Sequence, residues 1–309
     1  MDPLSQTIGL LKPQSLAWRV IEAHDSWAIR FPAVEAVVFG QMIEGSSRVD
    51  FPDGTASRLE AGDFLLLCTP PSDWRIGTDE TSPAIGLKAL IAAPDSLLSS
   101  APAPKICRLI AGAMIFAAPN TDLVRSLIPP LIHIRGTEMA AGRLRSFLDM
   151  LGNEALAERP GKSFILDRLL EVMLMECLRC RPAALGPARQ GLLAGLDDPK
   201  IRTALQAMHA DAQKSWTVDG LARHAGMSRS AFAARFHQVV GASPIDYLSG
   251  WRINLAKAAL TASQMPMIEV AQLAGYQSVS AFSTAFRRST GSSPVAFVRK
   301  SAAEEPPAL

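Results

Sequence analysis

Leu221-Ala222-Arg223-His224-Ala225-Gly226-Met227-Ser228-Arg229-Ser230-Ala231-Phe232, then Arg235-Phe236, then Gly241-Ala242-Ser243-Pro244, is the stretch that decides the fold. It recurs as Val270-Ala271-Gln272-Leu273-Ala274-Gly275-Tyr276-Gln277-Ser278-Val279-Ser280-Ala281-Phe282, then Ala285-Phe286, then Gly291-Ser292-Ser293-Pro294. Ala-Gly returns at an offset of 49, and Ala-Phe, Gly and Ser-Pro at 50, so the second turn is one residue longer. Each copy reads as a short helix, a turn containing Gly, a second helix opened by Ser and a Gly stop. These are the signals of a helix-turn-helix.

On a 100° wheel the second helix of the later copy gathers Ala281, Phe282, Ala285 and Phe286 into one apolar stripe. Opposite lie Ser280, Ser283, Thr284 and Arg287, flanked by Val279 and Arg288, after the opening Ser278. In the earlier copy Ala231, Phe232, Phe236 and Val239 form the stripe. Ser230, Ala233, Ala234 and His237 lie opposite, with Arg229 at the amino-terminal edge. The stripe must pack on the first helix. The other face is slim and polar, as a helix must be to enter a major groove roughly 12 Å wide. Arg235 falls on the flank of the stripe, which predicts a packed stem with its head paired or solvated.

A helix predicted from about Pro244 to Leu260 joins the copies and would bury Tyr247, Leu248, Trp251, Ile253, Leu255 and Ala259. Such a rod can hold two reading helices about 34 Å apart, for successive major grooves on one face of a duplex. Charge points the same way. Residues 197–309 hold 12 basic and 8 acidic groups, against 19 and 21 in residues 1–196. A basic rear half suits a polyanion.

The whole chain has 309 residues, 48% hydrophobic and 19% charged, which predicts two domains with real cores and excludes a disordered chain. The longest apolar run, Leu109 to Ala118, is ten residues, short of the roughly 18–20 a membrane helix needs. No basic, then apolar start suggests a secretory signal, and Cys68, Cys107, Cys177 and Cys180 are too few and scattered for a disulfide framework. The expectation is a cytoplasmic protein with reduced thiols and no membrane.

Residues 1–118 read as β-rich. Ala36–Met42, Ser47–Phe51, Phe64–Cys68 and Met114–Phe116 are short and separated by Gly, Pro, Asp and Ser clusters, including Pro70-Pro71-Ser72-Asp73. That spacing predicts a sandwich or barrel, with a hairpin at Asp53-Gly54. From 119 to 184 the period becomes helical. Leu144, Phe147, Leu148 and Leu151 mark one helix; Ile165, Leu169, Val172, Met173 and Glu176 mark another, ended by Pro182. Residues 185–196 read as a linker and 197–302 as the helical domain, with its units at about 218–240 and 267–290.

Asp198 to Lys300 resembles the AraC/XylS-type DNA-binding domain. The likeness is carried by the entry helix Asp198-Pro199-Lys200-Ile201 through His209, by Trp216-Thr217-Val218, by Ser228-Arg229-Ser230-Ala231-Phe232, and by Tyr247-Leu248 with Trp251-Arg252. Ile268 to Tyr276, Ser280-Ala281-Phe282, Phe286-Arg287-Arg288 and Gly291-Ser292-Ser293-Pro294 complete it. The resemblance implies transcription regulation by DNA binding. It assigns base reading to Ser230, Ala233 and Ala234, and to Val279, Ser280, Ser283 and Thr284 with Ser278 at the edge. Arg229, His237, Arg287 and Arg288 stand nearby for bases or phosphates. Ala and Val can touch a thymine methyl and little else, which predicts modest direct readout supplemented by phosphate contacts and DNA shape.

The front half resembles the cupin-type N-terminal domain of some AraC/XylS regulators, on Trp27-Ala28-Ile29-Arg30-Phe31-Pro32, Leu59 to Leu67 around Gly62-Asp63, and Leu131-Ile132-His133-Ile134-Arg135. By implication it binds an effector, forms a dimer, or both, and an effector pocket would be lined by residues such as Trp27, Phe39, Gln41 and Trp74. The expected class is therefore an α+β multidomain chain: an N-terminal cupin-like β-barrel with a helical pair, and an all-α C-terminal domain with two helix-turn-helix motifs. Its expected partners are double-stranded promoter or operator DNA, a small-molecule effector, a second copy of the chain in a homodimer and, for an activator, RNA polymerase.

The alternative is a metal-dependent cupin enzyme with a helical appendage. Metal cupins present a His-x-His pair, a Glu and a further His to one cavity. Here only His24 precedes His133, no His-x-His exists, and Trp74-Arg75 follows the Gly62-Asp63 turn. Neither a metal, a cofactor nor catalysis is expected. A third reading is a regulator without ligand, whose front half only pairs protomers. Cys177 and Cys180 share a helix face beside Leu174 and Leu178, which favours packing over redox chemistry. His24-Asp25-Ser26 is no catalytic triad, because three adjacent residues do not converge on one point.

Overall fold

The structure is a computed structural model and describes residues 2–24, 26–32, 36–68, 73–86, 89, 107–116, 123–124, 127–180, 190–262 and 265–303. The chain divides into two units. Pro70-Pro71-Ser72, Asp25, Ala118, Pro182 and the first half of the expected linker lie outside the described residues.

The described residues of the first unit, within 12–116 and 128–180, form ten strands: β1 (Pro13–Ala23), β2 (Ala28–Phe31), β3 (Val37–Glu44), β4 (Ser46–Asp50), β5 (Ala56–Glu60), β6 (Phe64–Cys68), β7 (Trp74–Gly77), β8 (Ala84–Gly86), β9 (Cys107–Phe116) and β10 (Leu131–Ile134). They form two five-stranded sheets, ordered β1-β9-β3-β6-β10 and β5-β4-β7-β2-β8. The core lies between them. Ile21, Met42, Leu65, Leu67 and Leu109 meet Ile29, Phe31, Val49, Leu59, Trp74 and Ile76 there. The β4–β5 hairpin turns at Asp53-Gly54 as expected: Gly54 takes φ 80, and Asp53 Oδ1 accepts the Thr55 N–H at 2.9 Å.

Asp63 explains why the Gly62-Asp63 and His133–Arg135 segments belong together. Its carboxylate accepts the Gly136 N–H at 2.8 Å, His133 Nε2–H at 2.8 Å, Arg135 Nη1–H at 3.1 Å and the Glu60 N–H at 3.2 Å. On the other side of the imidazole, Ser57 Oγ–H donates to Nδ1 at 3.3 Å. One buried acid thus ties the β5–β6 turn to the end of β10.

Helices α2 (Met139–Leu156) and α3 (Lys162–Arg179) pack on each other and on β1. Gly152 permits the approach: a Cβ there would sit 2.8 Å from the Trp18 indole. Leu144, Leu148 and Leu151 are buried, as their spacing predicts. In α3 the stripe is different from the one expected. Leu166, Leu170, Met173, Leu174, Cys177 and Leu178 face the core, while Ile165 and Val172 are exposed. Apolar residues occupy both faces of this helix, so periodicity alone chose the wrong one. Cys177 is fully buried and its thiol is pushed up by that burial, as packing requires.

The second unit contains an element the sequence did not announce. Helix α1 (Pro3–Leu11) lies in what was read as the β-rich front, yet it belongs with the rear helices. It is followed by α4 (Leu192–Asp197), α5 (Pro199–Ala210), α6 (Val218–His224), α7 (Arg229–Val240), α8 (Pro244–Ala262), α9 (Met267–Leu273), α10 (Val279–Thr290) and α11 (Pro294–Ala303). Helix α4 falls in the expected linker. Leu192 and Gly195 are buried, and Gly195 is so close to Leu205 that a Cβ would meet it at 2.6 Å; the segment is packed rather than loose. Helix α8 buries Leu248, Trp251 and Ile253 as expected, but Ala256 and Leu260 in place of Leu255 and Ala259.

Candidate nucleic-acid interface

The two recognition helices are built by the same local chemistry. Ser228 precedes α7 in extended backbone and its Oγ accepts the Ala231 N–H at 3.3 Å; Ser278 does the same for Ala281 at 3.2 Å ahead of α10. Each helix ends at a glycine in the left-handed region, Gly241 (φ 84) and Gly291 (φ 78). Only such a residue turns the chain there without a Cβ penalty. Phe232 and Phe236 anchor α7, and Phe282 and Phe286 anchor α10, all four with no exposed surface.

These paired rings make the buried stripe narrower than the wheel suggested. Ala231 and Ala281 are exposed, Ala285 and Val239 are half-buried, and Val240 is buried instead. Two rings per helix already fill the space against α6 and α9, so the alanines are left outside. The open face is correspondingly broader.

On α7 the structure leaves Arg229, Ser230, Ala234 and His237 exposed and Ala233 half-buried. Arg235 is held by Asp198, Nε to Oδ2 at 2.8 Å, the paired head expected of it. On α10, Val279, Ser280, Thr284, Arg287 and Arg288 are exposed and Ser283 is half-buried. A cavity of about 460 Å³ lies along this helix, lined by Ser280, Ala281, Thr284, Ala285 and Arg288. Arg288, not Arg287, therefore borders the concave side. Ala281 and Ala285 line it too, and sequence reasoning had assigned both to the core. Two hydroxyls are engaged locally: Thr284 Oγ1–H donates to the Ser280 carbonyl at 3.0 Å, and Ser278 caps the helix.

The proposed effector residues do not converge. Trp27 and Trp74 lie in the core between the sheets, Trp74 stacked on Phe31 with ring centroids 3.9 Å apart. Phe39 and Gln41 point to the opposite face of their sheet. Phe39 packs beside Trp18, centroids 6.3 Å apart, and Gln41 Nε2–H donates to the Gly62 carbonyl at 2.8 Å and the Ala141 carbonyl of α2 at 3.1 Å. Successive strand residues alternate faces, and the parity of β3 puts Val38 and Met42 inside instead.

A two-sheet domain with two covering helices, joined in one chain to a helical unit carrying duplicated helix-turn-helix motifs, defines a class of DNA-binding proteins. The comparisons agree with it. A Cupin family profile matches residues 2–181 and a helix-turn-helix domain profile matches residues 221–300. A putative AraC-like transcription regulator of Streptomyces lividans is 34% identical over 297 residues, 95% of this chain and 97% of that one. The HTH-type transcriptional regulator AlkR of Acinetobacter baylyi is 29% identical over 301 residues, 95% of this chain and 98% of that one. Among solved structures, the DNA-binding domain of AdpA in complex with a target DNA is 32% identical, with a TM-score of 0.33, and covers 34% of this chain and 95% of that one. The chain belongs to the AraC-like transcription regulators with an N-terminal cupin domain. Its relatives are regulators, and among the described residues no helix is long and apolar enough to cross a membrane.

Proposed function

We propose that this regulator places α7 and α10 in successive major grooves of one operator and acts in the cytoplasm, without catalysing a reaction. The observation that carries this reading is the matched pair of helices, each Ser-capped, Gly-stopped and anchored by two buried phenylalanines, each with a slim polar face in the open. Ser230, Ala233 and Ala234 would approach bases from α7; Val279, Ser280, Ser283 and Thr284 would do so from α10. Arg229, His237, Arg287 and Arg288 supply the longer contacts, and the role of Ser278 is the cap. The 1–118 and 119–184 regions would sense and pair, and 197–302 would bind DNA.

Dimerisation is supported by the outer face of α3, where Phe164 is 68% exposed and Ile165 and Val172 stand beside it. A second copy would cover that face. A small-molecule effector is a further partner proposed for the sheet unit. RNA polymerase is a further partner if the protein activates. Mapping of bound sites across the genome, followed by titration of one bound fragment against KCl, tests the reading. The expected result is an affinity falling steeply with salt, and Arg287→Ala weakening operator binding by about 1–3 kcal/mol. Flat salt dependence would count against DNA binding, and an unchanged footprint would remove the base-reading role of Arg287.

A further inference from the structure

A second cavity, of about 400 Å³, opens at the first helix-turn-helix unit, and none of its lining residues is among those assigned to base reading. Lys214, Trp216, Thr217, Gly220, Arg223 and His224 line it. Lys214 Nζ lies 4.3 Å from the centre of the Trp216 ring, and His224 meets the same ring edge-on at 5.1 Å. The loop that carries these groups is locked from below. Asp211 Oδ1 accepts the Lys214 N–H at 3.0 Å, the Asp211 carbonyl accepts Trp216 Nε1–H at 2.8 Å, and the Lys214 carbonyl accepts the Trp216 N–H at 2.8 Å. Arg252 of α8 donates Nε–H to the Ala212 carbonyl at 2.7 Å and Nη2–H to the Lys214 carbonyl at 2.9 Å. So the ammonium stands on a fixed frame, over an indole that gives it no counter-charge.

The second unit does not repeat these residues. At the 49-residue offset, Met265, Pro266, Glu269, Gln272 and Leu273 stand where Trp216, Thr217, Gly220, Arg223 and His224 stand in the first. The contrast reverses on the recognition helices. In its last turn α10 carries two exposed arginines, Arg287 and Arg288, whereas the last turn of α7 carries His237; Arg229 stands at the opposite end of α7, and Arg235 is tied to Asp198.

We propose that the Lys214–Trp216–Arg223 cavity seats a phosphate of the operator backbone, so that the first unit anchors the duplex as well as presenting α7 to it. This rests on the DNA-binding reading above. In a helix-turn-helix the first helix crosses the backbone while the second enters the groove, which puts α6 and its flank beside phosphates. A lysine meets a phosphate as a point charge and an arginine as a fork. Arg223 is paired with Asp219 on the same helix, and both are well exposed. Such pairs are weak, so the guanidinium exchanges the carboxylate for a phosphate at little cost.

The test uses the full chain, a mixed-sequence 30-base-pair duplex and one fragment recovered by genomic mapping, with affinities measured against KCl concentration. Lys214→Gln with Arg223→Gln is expected to lower affinity for both duplexes by the same factor, roughly tenfold near about 0.1 M salt, and to reduce the salt slope by about 1. Lys214→Arg should restore part of the slope. Arg288→Gln should act on the mapped fragment more than on the mixed duplex. A double variant with wild-type slope overturns the proposal, as does a loss confined to the mapped fragment. A wild-type chain that binds neither duplex overturns the DNA-binding reading itself, a different outcome. Unchanged thermal unfolding of the variants separates loss of contact from loss of fold.

Discussion

Arg252 and Gly275 meet at the junction of the two helix-turn-helix units: a Cβ on Gly275 would lie 2.8 Å from the Arg252 guanidinium carbon. The same guanidinium holds the Ala212 and Lys214 carbonyls of the first unit. One side chain of the connecting helix therefore fixes a loop of the first unit and lies under the turn of the second. Gly275 is also in the left-handed region, at φ 73. Gly275→Ala is expected to cost about 2–3 kcal/mol, from backbone strain plus displacement of Arg252. Gly291→Ala, with φ 78 and open space around it, should cost only about 1 kcal/mol. Equal shifts in urea midpoint for the two variants would remove the Arg252 contact from the account.

The caps of the recognition helices should matter alike. Ser228→Ala and Ser278→Ala each remove one acceptor for an orphan N–H and should destabilise the helical unit by about 1 kcal/mol apiece. Replacement by Asp should recover most of that loss. Unchanged denaturant midpoints for the alanine variants would show that neither serine acts as a cap.

His209 gives the helical unit a predictable acid sensitivity. It is stacked on Trp251 with ring centroids 4.0 Å apart; Nδ1–H donates to Gln6 Oε1 of α1 at 3.2 Å, and Nε2 accepts Tyr247 O–H at 2.7 Å. Burial lowers its pKa from 6.5 to about 4, against the pull of Asp2. The unfolded chain then takes up a proton before the folded one does. Stability present above pH 6.5 is lost progressively as pH falls towards about 4, by up to about 3 kcal/mol. His209→Gln should flatten thermal stability across that window; a variant with the wild-type pH profile would clear His209 of the effect.

Asp63 should behave in the opposite half of the acid range. Burial alone would raise its pKa, but the Gly136 N–H, His133 and the Glu60 N–H together hold it below the ordinary carboxylate value of 3.8. Its contribution is complete above that value and is lost as pH falls through the lower, folded one. Asp63→Asn should destabilise the sheet unit by about 3 kcal/mol near neutrality, since it leaves His133 and Arg135 without their acid. Wild type and variant should converge as pH falls through that lower, folded value. Tryptophan fluorescence during urea unfolding reads this out, and equal midpoints at pH 7 would contradict it.

Much of the DNA-binding unit was legible in the chain because its signals are local. Ser before a helix, Gly after it and Phe at i and i+4 act within a few residues, and their repetition at 49–50 residues made them doubly visible. The sheet architecture was legible only in part: short runs between turn signals marked β3 to β6 and the end of β9, while β1 and α1 passed unnoticed. Facing was the main casualty. Phe39 and Gln41 differ from Val38 and Met42 by one residue of register, and a strand apolar on both sides does not say which side is the core. The same ambiguity hid the true stripe of α3. What tertiary structure alone decided are the non-local matters: that α1 joins the rear helices through His209, that Asp63 gathers donors from 60, 133, 135 and 136, and that Arg252 braces the loop bearing Lys214. Each of these bonds spans residues distant in sequence, and no periodicity or propensity encodes which polar group will meet which once the chain has closed on itself.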